Sequence, residues 1–142
     1  MGKGEDNLRR RCEQMLEPDE RILLAAEVQG KIGMIHRLDP GRAYLTPSRV
    51  IWLSRKIPII HLLHWFHRIP DSFSIPIADI RRVIPGKELS STWLLILTDK
   101  QQYSLRLGRE PFFWLRDTAA TTQTWADRIQ ELREAYRHRI QS

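Results

Sequence analysis

Cysteine is nearly absent: Cys12 stands alone in 142 residues. That excludes an intramolecular disulfide and any cysteine-based zinc cluster, and makes the cytosol, or the cytosolic face of a membrane, the expected location. Long hydrophobic runs are missing too. The longest apolar stretch, Ile57 to Phe66, is interrupted by Pro58, His61 and His64. It is about half the ~20 residues that a membrane-spanning helix needs. The N-terminus has no apolar signal core, and Asp6 occupies the place where a myristoylation signal wants Ser or Thr. Signatures of catalysis are lacking as well: there is no Gly-rich phosphate loop, no HExxH and no GxSxG. Neither an enzyme activity nor a cofactor is expected. With no repeat and no low-complexity linker, the length fits a single folded unit.

What the chain does have is an uneven positive charge. The net charge is +6, and residues 21–110 hold fourteen basic against seven acidic side chains. A field of that sign suits phosphates, on lipid headgroups or nucleic acid, or an acidic protein. The stacking aromatics and motifs of nucleic-acid modules are missing, so nucleic acid is not an expected partner.

Periodicity locates the elements. Residues 5–17 read as a short helix, since Leu8, Cys12 and Met15 fall on one stripe, and Pro18 ends it. Cys12 on that stripe reads as packed rather than nucleophilic. Arg21 to Gly30 alternates as a strand. Arg42 to Thr46 and Arg49 to Ser54 are strands split by a Thr46-Pro47-Ser48 turn. Val50-Ile51-Trp52-Leu53 is apolar on both faces, so it expects cover on both. Ser72 to Ile77, Asp79 to Ile84, Thr92 to Thr98 and Tyr103 to Leu107 complete seven strands, with Pro85-Gly86 closing the fifth and 99–102 forming a hairpin loop. The period then changes. Trp125, Ile129, Leu132, Tyr136 and Ile140 make the single apolar stripe of a long helix. Short antiparallel strands followed by one amphipathic helix predict a barrel or sandwich with the helix plugging an open end.

Four stretches resemble the GRAM and bacterial pleckstrin-homology (PH-like) domain family. Gly41-Arg-Ala-Tyr-Leu-Thr-Pro-Ser-Arg-Val-Ile-Trp resembles the family's second and third strands, and Ser74-Ile-Pro-Ile-Ala-Asp-Ile its next strand. Pro18-Asp-Glu-Arg-Ile-Leu resembles the lead-in to the first strand, and Trp125-Ala-Asp-Arg-Ile the C-terminal helix. The likeness runs from about Pro18 to Leu132. It implies a mainly β fold: a seven-stranded antiparallel barrel over residues 18–142 with a capping C-terminal α-helix, preceded by an N-terminal helix within 1–17. It also implies binding rather than catalysis, to anionic membrane lipid with phosphoinositide-like headgroups or to a protein. In the family's phosphoinositide pattern Lys31 and Arg42 match the first two basic positions. Tyr44 stands in place of the third, which argues against a specific, high-affinity inositol-phosphate site.

Under that resemblance Lys31, Arg37, Arg42, Arg55, Lys56, Arg68 and Lys100 lie in or beside loops at one end, as a basic rim. The stretch 55–71 is the unusual one. Two apolar residues and a histidine repeat three times, ending in His61, His64 and His67, with Leu62, Leu63, Trp65 and Phe66 between them. Three readings stand side by side: an interfacial membrane segment, a protein interface that includes self-association, and an insertion folded back over the two-sided strand Val50–Leu53. Three histidines without a cysteine make no expected metal site.

Overall fold

The structure is a computed structural model and describes residues 2–32, 36–37, 41–54, 72–88, 91–108 and 118–141. The chain runs α1 (Gly2–Met15), β1 (Leu24–Ile32), β2 (His36–Arg37), β3 (Gly41–Leu45), β4 (Arg49–Ser54), β5 (Ser72–Pro76), a 3-10 turn (Ile77–Asp79), β6 (Ile80–Glu88), β7 (Ser91–Thr98), β8 (Gln102–Gly108) and α2 (Thr118–Gln141). Every strand pair is antiparallel. The order across the sheet is β5-β4-β3-β1-β8-β7-β6, with β2 paired only to β1. Seven strands are thus those that alternation locates, and the two-residue β2 is additional.

β1 belongs to both halves of the sheet. Leu24 to Val28 pair with Leu45 to Gly41 of β3, and Glu27 to Ile32 pair with Gly108 to Tyr103 of β8. The halves then curl toward each other. Trp52 of β4 stacks on Phe73 of β5 at 5.3 Å, and Phe73 stacks on Tyr103 of β8 at 5.1 Å. Contact between strands so far apart in the sheet order requires a folded-over sheet with an interior, and β5 and β6 are its two edges.

Period-2 alternation fills that interior. Ala26 and Val28, Ala43 and Leu45, Val50 and Trp52, Leu94 and Ile96, and Leu105 and Leu107 are all buried in one cluster. α2 lies against β6, β7, β8 and the 3-10 turn. It sends Trp125, 1% exposed, and Ile129, fully covered, into the same cluster. Full burial of side chains this size contributes roughly 1.5–3 kcal/mol each. The stripe outruns the sheet, however: Tyr136 is 38% and Ile140 65% exposed.

The opposite face of β4 explains why that strand is apolar on both sides. Ile51 and Leu53, with Tyr44 of β3, form a second cluster under Leu8 and Cys12 of α1. The cover over Val50–Leu53 is therefore the N-terminal helix, whose Leu8–Cys12 spacing supplies it. The segment 55–71, also read as that cover, lies outside the described residues.

Several boundaries depart from the sequence pattern. β1 is Leu24–Ile32 rather than Arg21–Gly30. α1 begins earlier than residue 5 and stops at Met15 rather than 17, where Arg49 takes its last carbonyl. β6 runs through Pro85-Gly86 to Glu88, with Pro85 in register with Leu94. A proline is tolerated there because β6 is an edge strand, paired on one side only.

Candidate functional site

One end of the sheet gathers the connections. β3 begins at Gly41, in register with Ser54 where β4 ends, so 33–40 and 55–71 leave from the same place. β8 begins beside the end of β1, with Tyr103 opposite Ile32, which brings the 99–101 hairpin to that side. Gly41 is required at the junction. A Cβ there would fall on the Leu53 carbonyl oxygen, a backbone atom that cannot swing away, and 3.1 Å from Trp52 Nε1.

The basic residues divide in the structure. Lys31 and Arg37 are register partners across β1 and β2, so the backbone brings these two together. Arg55, Lys56 and Arg68 lie outside the described residues, as do Leu62, Leu63, Trp65, Phe66 and the histidines His61, His64 and His67. Lys100 is exposed in the hairpin. It borders a recess of about 240 Å³ that also holds Asp79 and Asp99, and Asp99 pairs with Arg81. The charge on this flank is mixed.

Arg42 follows Gly41 at this end of β3 and is already paired. It lies opposite Glu27 in register, and its Nη1 donates to Glu27 Oε1 at 3.1 Å, with side-chain exposures of 17% and 4%. Its guanidinium also lies 5.9 Å from the Tyr44 ring centre. Glu27 carries no sequence signal of its own; its importance follows only from the register of β1 against β3. Tyr44, at the position of the family pattern's third basic residue, is 1% exposed and belongs to the cluster under α1. Burial pushes its hydroxyl pKa up. An arginine in that place would bury a charge beneath a helix, so the departure from the pattern follows from α1.

Residues from two of the stretches that carry the likeness, 18–23 and 41–52, meet in one network. Arg49 Nε and Nη2 donate to the two Glu20 carboxylate oxygens, each at 3.0 Å. Thr46 Oγ1 and Ser48 Oγ donate to Glu20 Oε2 at 2.5 and 2.7 Å, and the Glu17 amide donates to Oε1 at 3.0 Å. Arg49 Nη2 also donates to the Met15 carbonyl at 2.5 Å. Burial opposes the Glu20 charge, but bonds from Arg49, Thr46, the Glu17 amide and Ser48 outweigh it and hold the carboxyl down at about 2. The network ties the end of α1 to the β3–β4 turn and is fully committed to that task. Cys12, beneath the same helix, is covered, and burial raises its thiol to about 11, so it stays a neutral packing group.

Among the described residues no group of three or more His, Cys, Asp or Glu side chains is arranged to hold a metal ion. No helix among them is long and apolar enough to cross a membrane.

No family model and no curated protein matches the chain. Solved structures do. The N-terminal PH domain of Vps36 superimposes with a TM-score of 0.58 at 16% identity, over 83% of this chain and 85% of that one. The hSac2 domain of the human phosphoinositide phosphatase Sac2 gives 0.57 at 11% identity, over 93% and 81%. The C-terminal domain of an unknown protein from Leishmania infantum gives 0.50 at 15%, over 72% and 84%. At these identities the likeness establishes a pleckstrin-homology-like fold and nothing about a ligand.

Proposed function

We propose that this chain is a non-catalytic PH/GRAM-like module that binds anionic membrane lipid peripherally, from the cytoplasmic side, through its basic loop end. The observation that carries the reading is the pairing of Lys31 with Arg37 at the sheet end from which 33–40 and 55–71 depart. The surplus of basic side chains across residues 21–110 supports it. Cations carried at the end of a sheet are placed to meet headgroup phosphates without any change of fold, and each near the surface adds about 1 kcal/mol of attraction. Arg42 contributes less than the others, because Glu27 already offsets it.

Sedimentation with vesicles tests the proposal. The chain should pellet with vesicles of phosphatidylserine or phosphoinositide and not with pure phosphatidylcholine. Binding should weaken with salt, since exposed charges are screened beyond ~10 Å at 0.1 M. Lys31→Glu with Arg37→Glu should reduce binding at least tenfold. Arg42→Glu is a poor choice, because it would set two carboxylates against each other at Glu27. Equal sedimentation with neutral and anionic vesicles would sink the reading. No vesicle binding, together with a concentration-dependent dimer by light scattering, would replace it with self-association.

A further inference from the structure

α2 continues past the sheet that it caps, and its apolar stripe continues with it. Tyr136 and Ile140 are, with Met15, the large apolar side chains left exposed among the described residues. They do not stand on open convex surface. Between this part of α2 and the 3-10 turn lies a groove of about 460 Å³, with Ile77 and Ile80 on one wall and Tyr136 and Ile140 on the other. That is space for one or two large side chains, within the ordinary range of ligand sites.

The rim of the groove is basic. Arg81, Arg133 and Arg137 border it. Arg81 is held by Asp99. Arg133 donates to Gln130 Oε1 at 2.5 Å and to the Arg81 carbonyl. Arg137 has no hydrogen-bond or ion-pair partner among the described residues, and it repels Arg133 one turn back. Burial and that repulsion press on the Arg133 charge and outweigh the nearby Glu134, which favours it. Beyond Tyr136 the surface changes sign: Glu17, Asp19 and Glu20 border a second recess of about 340 Å³, with Arg139. The groove is therefore apolar in its floor, positive on one side and negative past Tyr136.

We propose that this groove docks an acidic peptide segment of a partner protein, which inserts a large apolar side chain between Ile77 and Ile140 and sets carboxylates against Arg133 and Arg137. Shape favours a peptide over a lipid surface, because a flat bilayer would touch the rim and leave the recess empty. Charge fixes the direction, because acidic residues laid past Tyr136 would face Glu17 and Asp19. The site lies by the β3–β4 turn, where the Ile77 amide donates to the Ser48 carbonyl, and borders the 99–101 hairpin through Arg81 and Asp99, away from Gly41 and Ser54 where 33–40 and 55–71 leave; it stands independently of the lipid reading.

A phage-displayed library of randomised twelve-residue peptides, panned on the full chain, tests this. Enriched sequences should combine two or more acidic residues with Leu, Ile, Phe or Trp. A synthetic peptide from that set should lose at least tenfold in affinity with Arg137→Glu and with Ile140→Glu, and weaken with salt. Both positions are exposed, so melting temperatures should stay put; Arg137→Ser serves as a milder second variant. Vesicle binding should be unaffected by all three. Failure to enrich any sequence, enrichment without acidic residues, or peptide binding indifferent to these substitutions would overturn the proposal. So would a dimer by light scattering that Ile140→Glu converts to monomer, since the occupant would then be a second copy.

Discussion

Glu20 shows how much one carboxylate can carry. It receives two bonds from Arg49, two hydroxyls and a backbone amide. Folded, it keeps its charge down to about pH 2, whereas an ordinary glutamate protonates near 4.5. Its contribution to stability is therefore complete above pH 4.5 and disappears as the pH falls through the folded value. After allowance for solvent screening, that contribution is on the order of 2 kcal/mol. Glu20→Gln should lower stability by about that amount at pH 7, and the variant should lose much of the decline that the parent shows between pH 4.5 and 2 in urea titrations. An unchanged slope would mean that another carboxylate dominates acid unfolding. At this scale the sequence is legible where a motif marks a position, as for Glu20, Thr46 and Arg49, but what those residues do is not. A motif gives identity without pairing, and Glu27, which has no motif, becomes visible only through the β1–β3 register.

At the scale of elements, both helices are read from period 3.6 and differ in how completely they are used. Trp125 of α2 is buried as its spacing requires, and Trp125→Ala should cost about 3–5 kcal/mol in chemical denaturation. The same stripe continues to Ile140, yet nothing of the sheet lies beneath it there, because periodicity reports a face and not the length of what opposes it. α1 gives the complementary lesson. The two-sided apolarity of β4 announces a cover, but strand sequence alone does not say which segment supplies it. Deleting residues 2–16 should uncover Tyr44, Ile51 and Leu53 together. An exposed apolar patch of that kind drives association, so the truncated chain should bind 8-anilinonaphthalene-1-sulfonate and lose solubility. A monomeric, dye-silent truncation would show that α1 is dispensable. Pro85 marks the limit of breaker residues as signals: a proline stops a central strand but not an edge, and edge position is a property of the assembled sheet.

For the whole molecule, the fold class follows from strand count, turn spacing and one terminal helix, because these fix which faces must be buried. The ligand does not follow, because the loops that would hold it respond to a partner rather than to the core. The shared strand β1 has a consequence in time. Its second half finds its partner only in β8, among the last strands to be made, so the sheet cannot join while the C-terminal third of the chain is still in the ribosome. Pairings of such long sequence separation are slow to form, because the loop must close before any contact offsets it. Nascent chains stalled with the ribosome exit just past residue 100 should be digested rapidly by protease, and release of the full sequence should bring protection in a single step. Until that step, β1 presents one bare edge to solvent, and the growing chain is most open to mispairing or to capture by a chaperone.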